Sequence, residues 1–445
     1  MARLVVRNRK ILIVSPRFPP KNGADLHRVR MSLRYYHHFG WDPTVLCLTP
    51  QSSDGVDDFE LAASLPKDIR VVRVEAWSEK KCRRFGFGHL DYRCLVPLYL
   101  SGSKLLIHER YDLVFFSTTA FLTFLLGPIW KRRFGCKVVY DFQDPWRQAA
   151  KLSYTRATVP GKWWKYRLGQ MVARRLEPFA LKSADHIISV SPGYVKALSA
   201  NYSWLSSSKF TVIPFGAEKA DFDFVRERNI RQKIFVSDKG TTRWVCVGRA
   251  GPDMNPILNV LFGQLAALKS IDPVFASSLK VYFVGTNYSP AERTVKVVEA
   301  LASQHGLANM VEEYSERIPY HEALSIYIES DAVLLIGTNS ADYTASKLFN
   351  CVLSRKPVLA LFHKDSLVSV IAAGFSNVFL AKFRFTPDEV LFSAAVAKGV
   401  GWLRDVKRDR DIQFDNAKID RELEPWSASE LTRIQCSIFD SVCGN

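Results

Sequence analysis

The 445-residue chain has few features that would assign it to a narrow class at sight. Its 8 cysteines are scattered, with no CxxC pair and no metal-type spacing. That excludes a disulfide framework and a zinc module, and favours a reducing compartment. No dinucleotide fingerprint of the form GxGxxG occurs. No run of about 20 apolar residues is present to serve as a membrane span. The most apolar window, 113–130, is interrupted by Ser117, Thr118, Thr119, Gly127 and Pro128, and reads better as a buried strand running into a helix. The start, MARLVVRNRKILIV, has neither a long apolar core nor a cleavage site, so no secretory signal is expected. RNA-binding and zinc-finger motifs are missing as well, and nucleic acid is not an expected partner.

Acid is in short supply. The chain carries 61 Lys/Arg against 44 Asp/Glu, a net charge of +17. Residues 1–40 contribute +8 and residues 151–182 contribute +7. Such a balance suits anionic substrates or an anionic membrane surface, although it also serves solubility alone. Apolar residues make up 47% and charged residues 24%, an ordinary globular mixture that excludes disordered, collagen-like and coiled-coil classes. By length the chain holds two or three domains.

Short β-branched runs alternate with longer helical patterns. Residues 10–15, 43–48, 69–74, 112–116, 137–140, 186–190 and 210–213 read as strands, with a helix over 24–39 after the first. The pattern restarts at 243–247, 279–284, 332–336 and 357–360, with helices over 256–269, 290–305, 320–330 and 346–354. Strands alternating with helices predict parallel sheets covered on both faces, hence an α/β protein of two Rossmann-like domains. The polar stretch 216–240 reads as the linker. The expected boundaries are 1–220, 235–415 and a last helical segment, 416–445.

In open parallel sheets ligands bind at the carboxyl ends of the strands. Four loops after strands therefore matter. In the first, Ser15 to Gly23, the glycine lets a phosphate or sugar approach the backbone; a proline-stiffened surface loop is the plainer reading. In the second, Asp141 and Asp144 follow a strand, where a carboxylate can bind a hydroxyl or act as a base, or cap a helix. In the third, Arg249 follows Val247-Gly248 and could clamp a diphosphate bidentately. In the fourth, Asp342 precedes a helix starting near Ser346, whose N–H groups at Ser346, Lys347 and Leu348 could face an anion, with Asn350 one turn inside.

These pieces in this order resemble the GT-B glycosyltransferases of family 4. The resemblance is carried by KILIVSPRFPPKNGADLHRVRMSLRYYHHFGWDPTVL, YDLVFFSTTAF, KVVYDFQDPW, ADHIISVSPGYV and FTVIPFG in the first half. In the second half it is carried by WVCVGR, VYFVG, IPYHEALSIYIESDAVLLI and SKLFNCVLSRKPVLA, with EPWSASELTRIQCSIFDSV as the closing helix. The resemblance implies two facing Rossmann-like domains with a C-terminal helix crossing back to the first. It implies retaining transfer from a nucleotide-diphosphate sugar to a glycan or lipid-linked acceptor, in cell-surface polysaccharide or lipopolysaccharide synthesis, with neither metal nor other cofactor.

Residue by residue, the resemblance makes Gly23 the loop glycine near the donor phosphate and Arg249 the diphosphate arginine. Ser346, Lys347 and Leu348 become the phosphate-binding helix start. Asp342 and Asn350 fall on the two ends of a Glu-x7-Glu motif. Asp342, Asp144 and Arg249 are the expected catalytic residues. Departures stand beside these matches: Asn350 replaces the ribose-gripping glutamate, and Met254 and Asn255 stand where a lysine is usual. Phe115, Phe116 and Ser117 stand where a histidine is common. They motivate a second reading, a non-catalytic GT-B-like binding or assembly protein. Lys347 is the expected substitute for the missing lysine. The basic aromatic segment with Lys162, Trp163, Trp164, Lys165 and Arg167 fits an acceptor or anionic membrane surface, or an amphipathic helix on its own domain. A cytoplasmic protein, peripheral on the inner face of the membrane, is the expected location.

Overall fold

The computed structural model describes residues 8–147, 163–236, 238–287, 296–343, 345–384, 389–409 and 413–444. The chain forms two units. Unit 1 runs to Phe215 and takes in the C-terminal segment from Ala428; unit 2 is Gly216–Ser427. The division thus falls at 215/216 rather than within 220–235, and residues 416–427 belong with unit 2.

Unit 1 contains β1 (Arg9–Val14), β2 (Lys21–Asn22), β3 (Trp41–Leu48), β4 (Val56–Asp57), β5 (Arg70–Val74), β6 (Leu113–Ser117), β7 (Lys137–Phe142), β8 (His186–Ser189) and β9 (Phe210–Val212). Seven of these make a parallel sheet in the order β5-β3-β1-β6-β7-β8-β9, while β2 and β4 pair as a short antiparallel ribbon. The order starts in the middle, runs to one edge, and then from the middle to the other. That leaves a crevice at the carboxyl ends of β1 and β6. Both faces of the sheet are covered, which is why its strands read as continuous apolar runs: Ile11 to Val14 and Leu113 to Phe116 are all fully buried.

One face carries the helices Leu90–His108, Leu126–Phe134 and Trp163–Leu181 over a core that includes Leu98, Phe124, Trp130 and Tyr140. The other carries His27–Ser32 and the C-terminal helix Ala428–Cys443. Phe439 of that last helix packs edge-on to Trp41 at 5.5 Å, and Tyr36 donates to Gln435 Oε1 at 2.6 Å. The expected helix over 24–39 is shorter. It consists of a 3-10 turn Ala24–Leu26, the helix His27–Ser32 and a second 3-10 turn His37–Phe39. The aromatic run Tyr35–Phe39 has weak helix propensity, and Gly40 at φ 78° turns the chain into β3.

Unit 2 repeats the scheme with β10 (Thr242–Val247), β11 (Leu279–Val284), β12 (Val311–Tyr314), β13 (Ala332–Ile336), β14 (Val358–His363) and β15 (Val378–Phe383). All pairings are parallel, in the order β12-β11-β10-β13-β14-β15, so the switch point lies between β10 and β13. The stretch read as a linker contains a helix, Lys219–Glu227, whose N-terminus is capped by Glu218 accepting from the Ala220 N–H at 3.1 Å. Phe222 and Val225 on its inner side are buried in the unit 2 core. The apolar window 113–130 is β6, a 3-10 turn and the start of a helix. Among the described residues no helix is long and apolar enough to cross a membrane.

Candidate functional site

In unit 2 the central strand β10 ends in Gly248 at φ 104° and its neighbour β11 in Gly285 at φ 72°, turns that only glycine makes without strain. The two turns adjoin: a Cβ built on Gly285 would lie 3.8 Å from the Gly248 Cα. Lys347, from the helix Lys347–Leu353 after β13, lays its side chain across Gly248. A Cβ there would come within 2.3 Å of the Lys347 Nζ. Glycine is therefore required at 248 both for its dihedral and for the lysine's approach. Lys347 is half-buried, and among the described residues its ammonium has no acid or hydrogen-bond acceptor. Burial pushes the nearby Cys246 thiol up to about 11 and Cys351 to about 12, so neither is a thiolate nucleophile near neutrality.

Arg249 follows Gly248 in the same turn. Its guanidinium grips Asp253 through two contacts, one being Nη1 to Oδ2 at 3.2 Å. Asp253 was not singled out in the sequence, where attention fell on Met254. That methionine is 2% exposed and belongs to the unit 2 core. A lysine there would have to bury its charge.

Asp342 is exposed in a turn and donates its backbone N–H to the Ser340 hydroxyl at 3.3 Å. Ser346 is exposed at the helix N-cap, where no side chain caps the first turn. Leu348 differs from expectation: it is buried, and its N–H is donated to the Ala345 carbonyl at 3.2 Å, so it does not face an anion. Asn350 makes a long contact, Nδ2 to the Tyr320 hydroxyl at 3.5 Å, and that hydroxyl donates to the buried Asp221 at 3.0 Å. Tyr320 spends its only proton on Asp221, so towards Asn350 it can only accept. An amide supplies a donor there; a carboxylate would not, which gives Asn350 a physical reason.

In unit 1 the loop after β1 brings Gly23 to the carboxyl end of the sheet. Its φ is −152°, ordinary extended backbone, so the glycine serves space rather than dihedral freedom. A Cβ there would meet Asp25 Oδ1 at 3.3 Å and Arg17 Cδ at 3.4 Å. Asp144 is exposed just beyond β7. Of the acceptor or membrane segment, Lys162 lies outside the described residues. Trp163, Trp164 and Lys165 open the helix Trp163–Leu181, with Arg167 exposed one turn in.

Sequence reasoning missed most of the polar cluster that underlies this end of unit 1. Asp25 Oδ2 accepts from Arg17 Nη1 at 3.0 Å, from the Thr119 N–H at 3.1 Å and from the Thr119 hydroxyl at 3.0 Å. Asp141, fully buried, pairs with Arg28 Nε at 2.7 Å and accepts from Ser117 at 2.8 Å and Gln143 at 3.0 Å. Burial pushes the Asp141 carboxyl up, against the pull of Arg28 and these hydrogen bonds. Gln143 also donates to the Asp25 carbonyl at 3.0 Å, so the loop after β1 is tied to β6 and β7 through one network. Asp141 Oδ1 and Gln143 Oε1 are buried and find no donor among the described residues. The signal was present as polar residues at the ends of three successive strands; only the pairing of those strands shows that they meet. Ser117, one of the three residues standing where the resemblance has a histidine, is buried within this network.

Residues 27–216 match the family description "Glycosyl transferase 4-like domain". No curated protein matches the chain in sequence. Among solved structures, a glycosyltransferase from Rickettsia africae superposes with a TM-score of 0.60 at 15% identity, covering 98% of this chain and 99% of that one. The Anabaena protein HepE in complex with UDP gives 0.57 at 15% identity, covering 97% and 100%. A UDP-forming α,α-trehalose-phosphate synthase from Burkholderia xenovorans gives 0.63 at 10% identity, covering 98% and 100%. Residues 27–216 are thus similar to a glycosyl transferase 4-like domain, and the chain as a whole shares the two-unit fold of these solved structures.

Proposed function

We propose that the protein transfers a sugar from a nucleotide-diphosphate sugar, with the donor diphosphate held at the carboxyl ends of β10 and β13. The observation that carries this reading is the Lys347 side chain lying across Gly248, with no acid partner among the described residues and with Arg249 next along the chain. A diphosphate there would meet two cations and a backbone made approachable by two glycines, in the crevice where open α/β sheets bind ligands. Charge building on the departing diphosphate would be met by the same two groups, which is where electrostatic catalysis is largest. In this reading Asp342 and Ser346 flank the donor, Asn350 takes a ribose hydroxyl, and the N–H of Leu348 has no part. Gly23 and Asp144 stand at the corresponding end of unit 1, the acceptor unit by resemblance.

UDP is the first donor nucleotide to try, since HepE is solved with UDP and the Burkholderia enzyme is UDP-forming. Retention, a glycan or lipid-linked acceptor, a role in cell-surface polysaccharide synthesis and a peripheral place on an anionic membrane complete the proposal by resemblance. The test is release of nucleotide diphosphate from a panel of nucleotide sugars. Asp342→Ala, Arg249→Ala and Lys347→Ala should each cut turnover strongly while the fold survives. Turnover unchanged in all three would show the site to be elsewhere. The Arg249–Asp253 pair favours one rival, a binding protein in which the arginine has been withdrawn from donor chemistry. Nucleotide binding with no turnover for any donor would select it.

A further inference from the structure

We infer that Tyr320 and Asp221 are positioning residues of the donor site. Together they fix which way round the Asn350 amide sits, and so make the site select a ribonucleotide over its 2′-deoxy form. The inference rests on the nucleotide-sugar reading for its ligand, and on side chains of unit 2 for its argument.

Asn350 lies on the helix Lys347–Leu353, three residues beyond Lys347 and on the same side of it. It is half-buried. Tyr320 opens the helix Tyr320–Glu329, and Asp221 sits in the first turn of the helix Lys219–Glu227. Asp221 is fully buried. A buried carboxyl needs a reason to stay ionised, and the start of a helix supplies one, because its free N–H ends favour negative charge.

Hydrogens then point one way through these residues. A carboxylate only accepts, so the Tyr320 hydroxyl gives its single proton to Asp221 Oδ2 at 3.0 Å. The phenol oxygen is left with lone pairs, and Asn350 Nδ2 reaches it at 3.5 Å. An amide turned the other way round would set oxygen against oxygen with no hydrogen between them. The amide is thereby held with its nitrogen towards Tyr320 and its oxygen away. It offers a ligand one carbonyl oxygen and one N–H. A ribose hydroxyl, which both donates and accepts, answers that pair. A deoxy carbon answers neither and leaves a desolvated polar group unpaired.

A glutamate at position 350 would meet the opposite situation. Its carboxylate would face the phenol oxygen, with the buried Asp221 charge behind it. Positions 350 and 221 are therefore coupled. An acid at 350 becomes acceptable once 221 is no longer an acid, because Tyr320 can then turn its proton to the new carboxylate.

The test is calorimetric titration of the full chain with UDP, GDP and ADP, each beside its 2′-deoxy form. Wild type should bind the ribose form of its nucleotide about tenfold more tightly. Tyr320→Phe removes the oxygen that holds the amide, and should bring that ratio close to one while the deoxy form binds as before. Asn350→Glu should weaken binding of the ribose form, and Asp221→Asn/Asn350→Glu should restore most of it, although each substitution alone weakens it. A merely structural role for Tyr320 or Asp221 would lower both nucleotide forms alike, and the changes at 221 and 350 would add. An unchanged thermal midpoint for Tyr320→Phe confirms folding. Equal affinity for the two forms in wild type, a ratio unmoved in Tyr320→Phe, or additive losses in the double variant would overturn the inference. No nucleotide bound at all would sink the donor-site reading along with it, whereas diphosphate binding with no ribose preference sinks the positioning role alone.

Discussion

Lys347 lies across Gly248 and Arg249 follows it in the chain, and they differ in what an incoming anion must displace. Among the described residues Lys347 has no acid to give up, while Arg249 must leave Asp253. That pair is about a third exposed on each side, so breaking it costs about 0–1 kcal/mol. Asp253→Asn should therefore tighten nucleotide-diphosphate binding by up to about fivefold, and Lys347→Ala should weaken it by about 10- to 150-fold, the worth of a charged hydrogen bond. Calorimetric titration of both variants checks the order; weaker binding in Asp253→Asn would mean that the acid positions the arginine rather than withholding it. In unit 1, Arg28→Ala leaves a carboxylate buried without its cation and should cost about 3–5 kcal/mol in denaturant unfolding. Asp141 has a folded value above its unfolded one, so this group favours folding at low pH and loses that contribution as the pH rises. The variant should lose more stability than wild type as the pH climbs from acid to neutral; parallel curves would refute the assignment. Arg249 and Lys347 could be found from sequence because each follows a recognisable strand and turn. Asp253 and Arg28 could not, because nothing local distinguishes them from surface charges until the strands are set in order; Asp141 stood out at the end of its strand, but its partner did not.

At the level of elements, Glu109 closes the helix Leu90–His108 onto the sheet. It accepts from Lys10 of β1 at 2.8 Å and from Arg70 of β5. The Arg70 hydrogen bond, then that of Lys10, lowers its carboxyl from 4.5 to about 2. A depressed carboxyl stabilises above its unfolded value and loses that contribution as the pH falls towards about 2. Glu109→Gln should flatten the acid limb of a plot of melting midpoint against pH between 5 and about 2; an unchanged limb would show that the bridge is not formed in solution. The principal parallel strands were legible because burial on both faces makes them continuous apolar runs. β12 reads VEEY, too short and too acidic to stand out, and β15 follows a turn that ends no obvious pattern. The helix Lys219–Glu227 was hidden because only one narrow side of it is apolar.

For the whole molecule, the repeated strand order is what turns scattered motifs into a site. Each unit places its switch point between its first strand and the strand that follows the crossover, and the glycines and bases singled out in the sequence stand at those ends. Placing the units was legible from the restart of the strand pattern, while the return of Ala428–Cys443 to unit 1 was legible only through the resemblance. On the proposed function, unit 2 binds a nucleotide diphosphate through Lys347 and Arg249. Its most direct test is a thermal-shift comparison of UDP, GDP, ADP, TDP and CMP on wild type and on Lys347→Ala/Arg249→Ala. At about 100 times its dissociation constant a bound nucleotide adds about 2.7 kcal/mol, a rise of a few degrees for units of this size. Such a rise is expected with one diphosphate in the wild type, and its loss in the double variant. A rise that survives in the double variant, or none with any nucleotide, would contradict it.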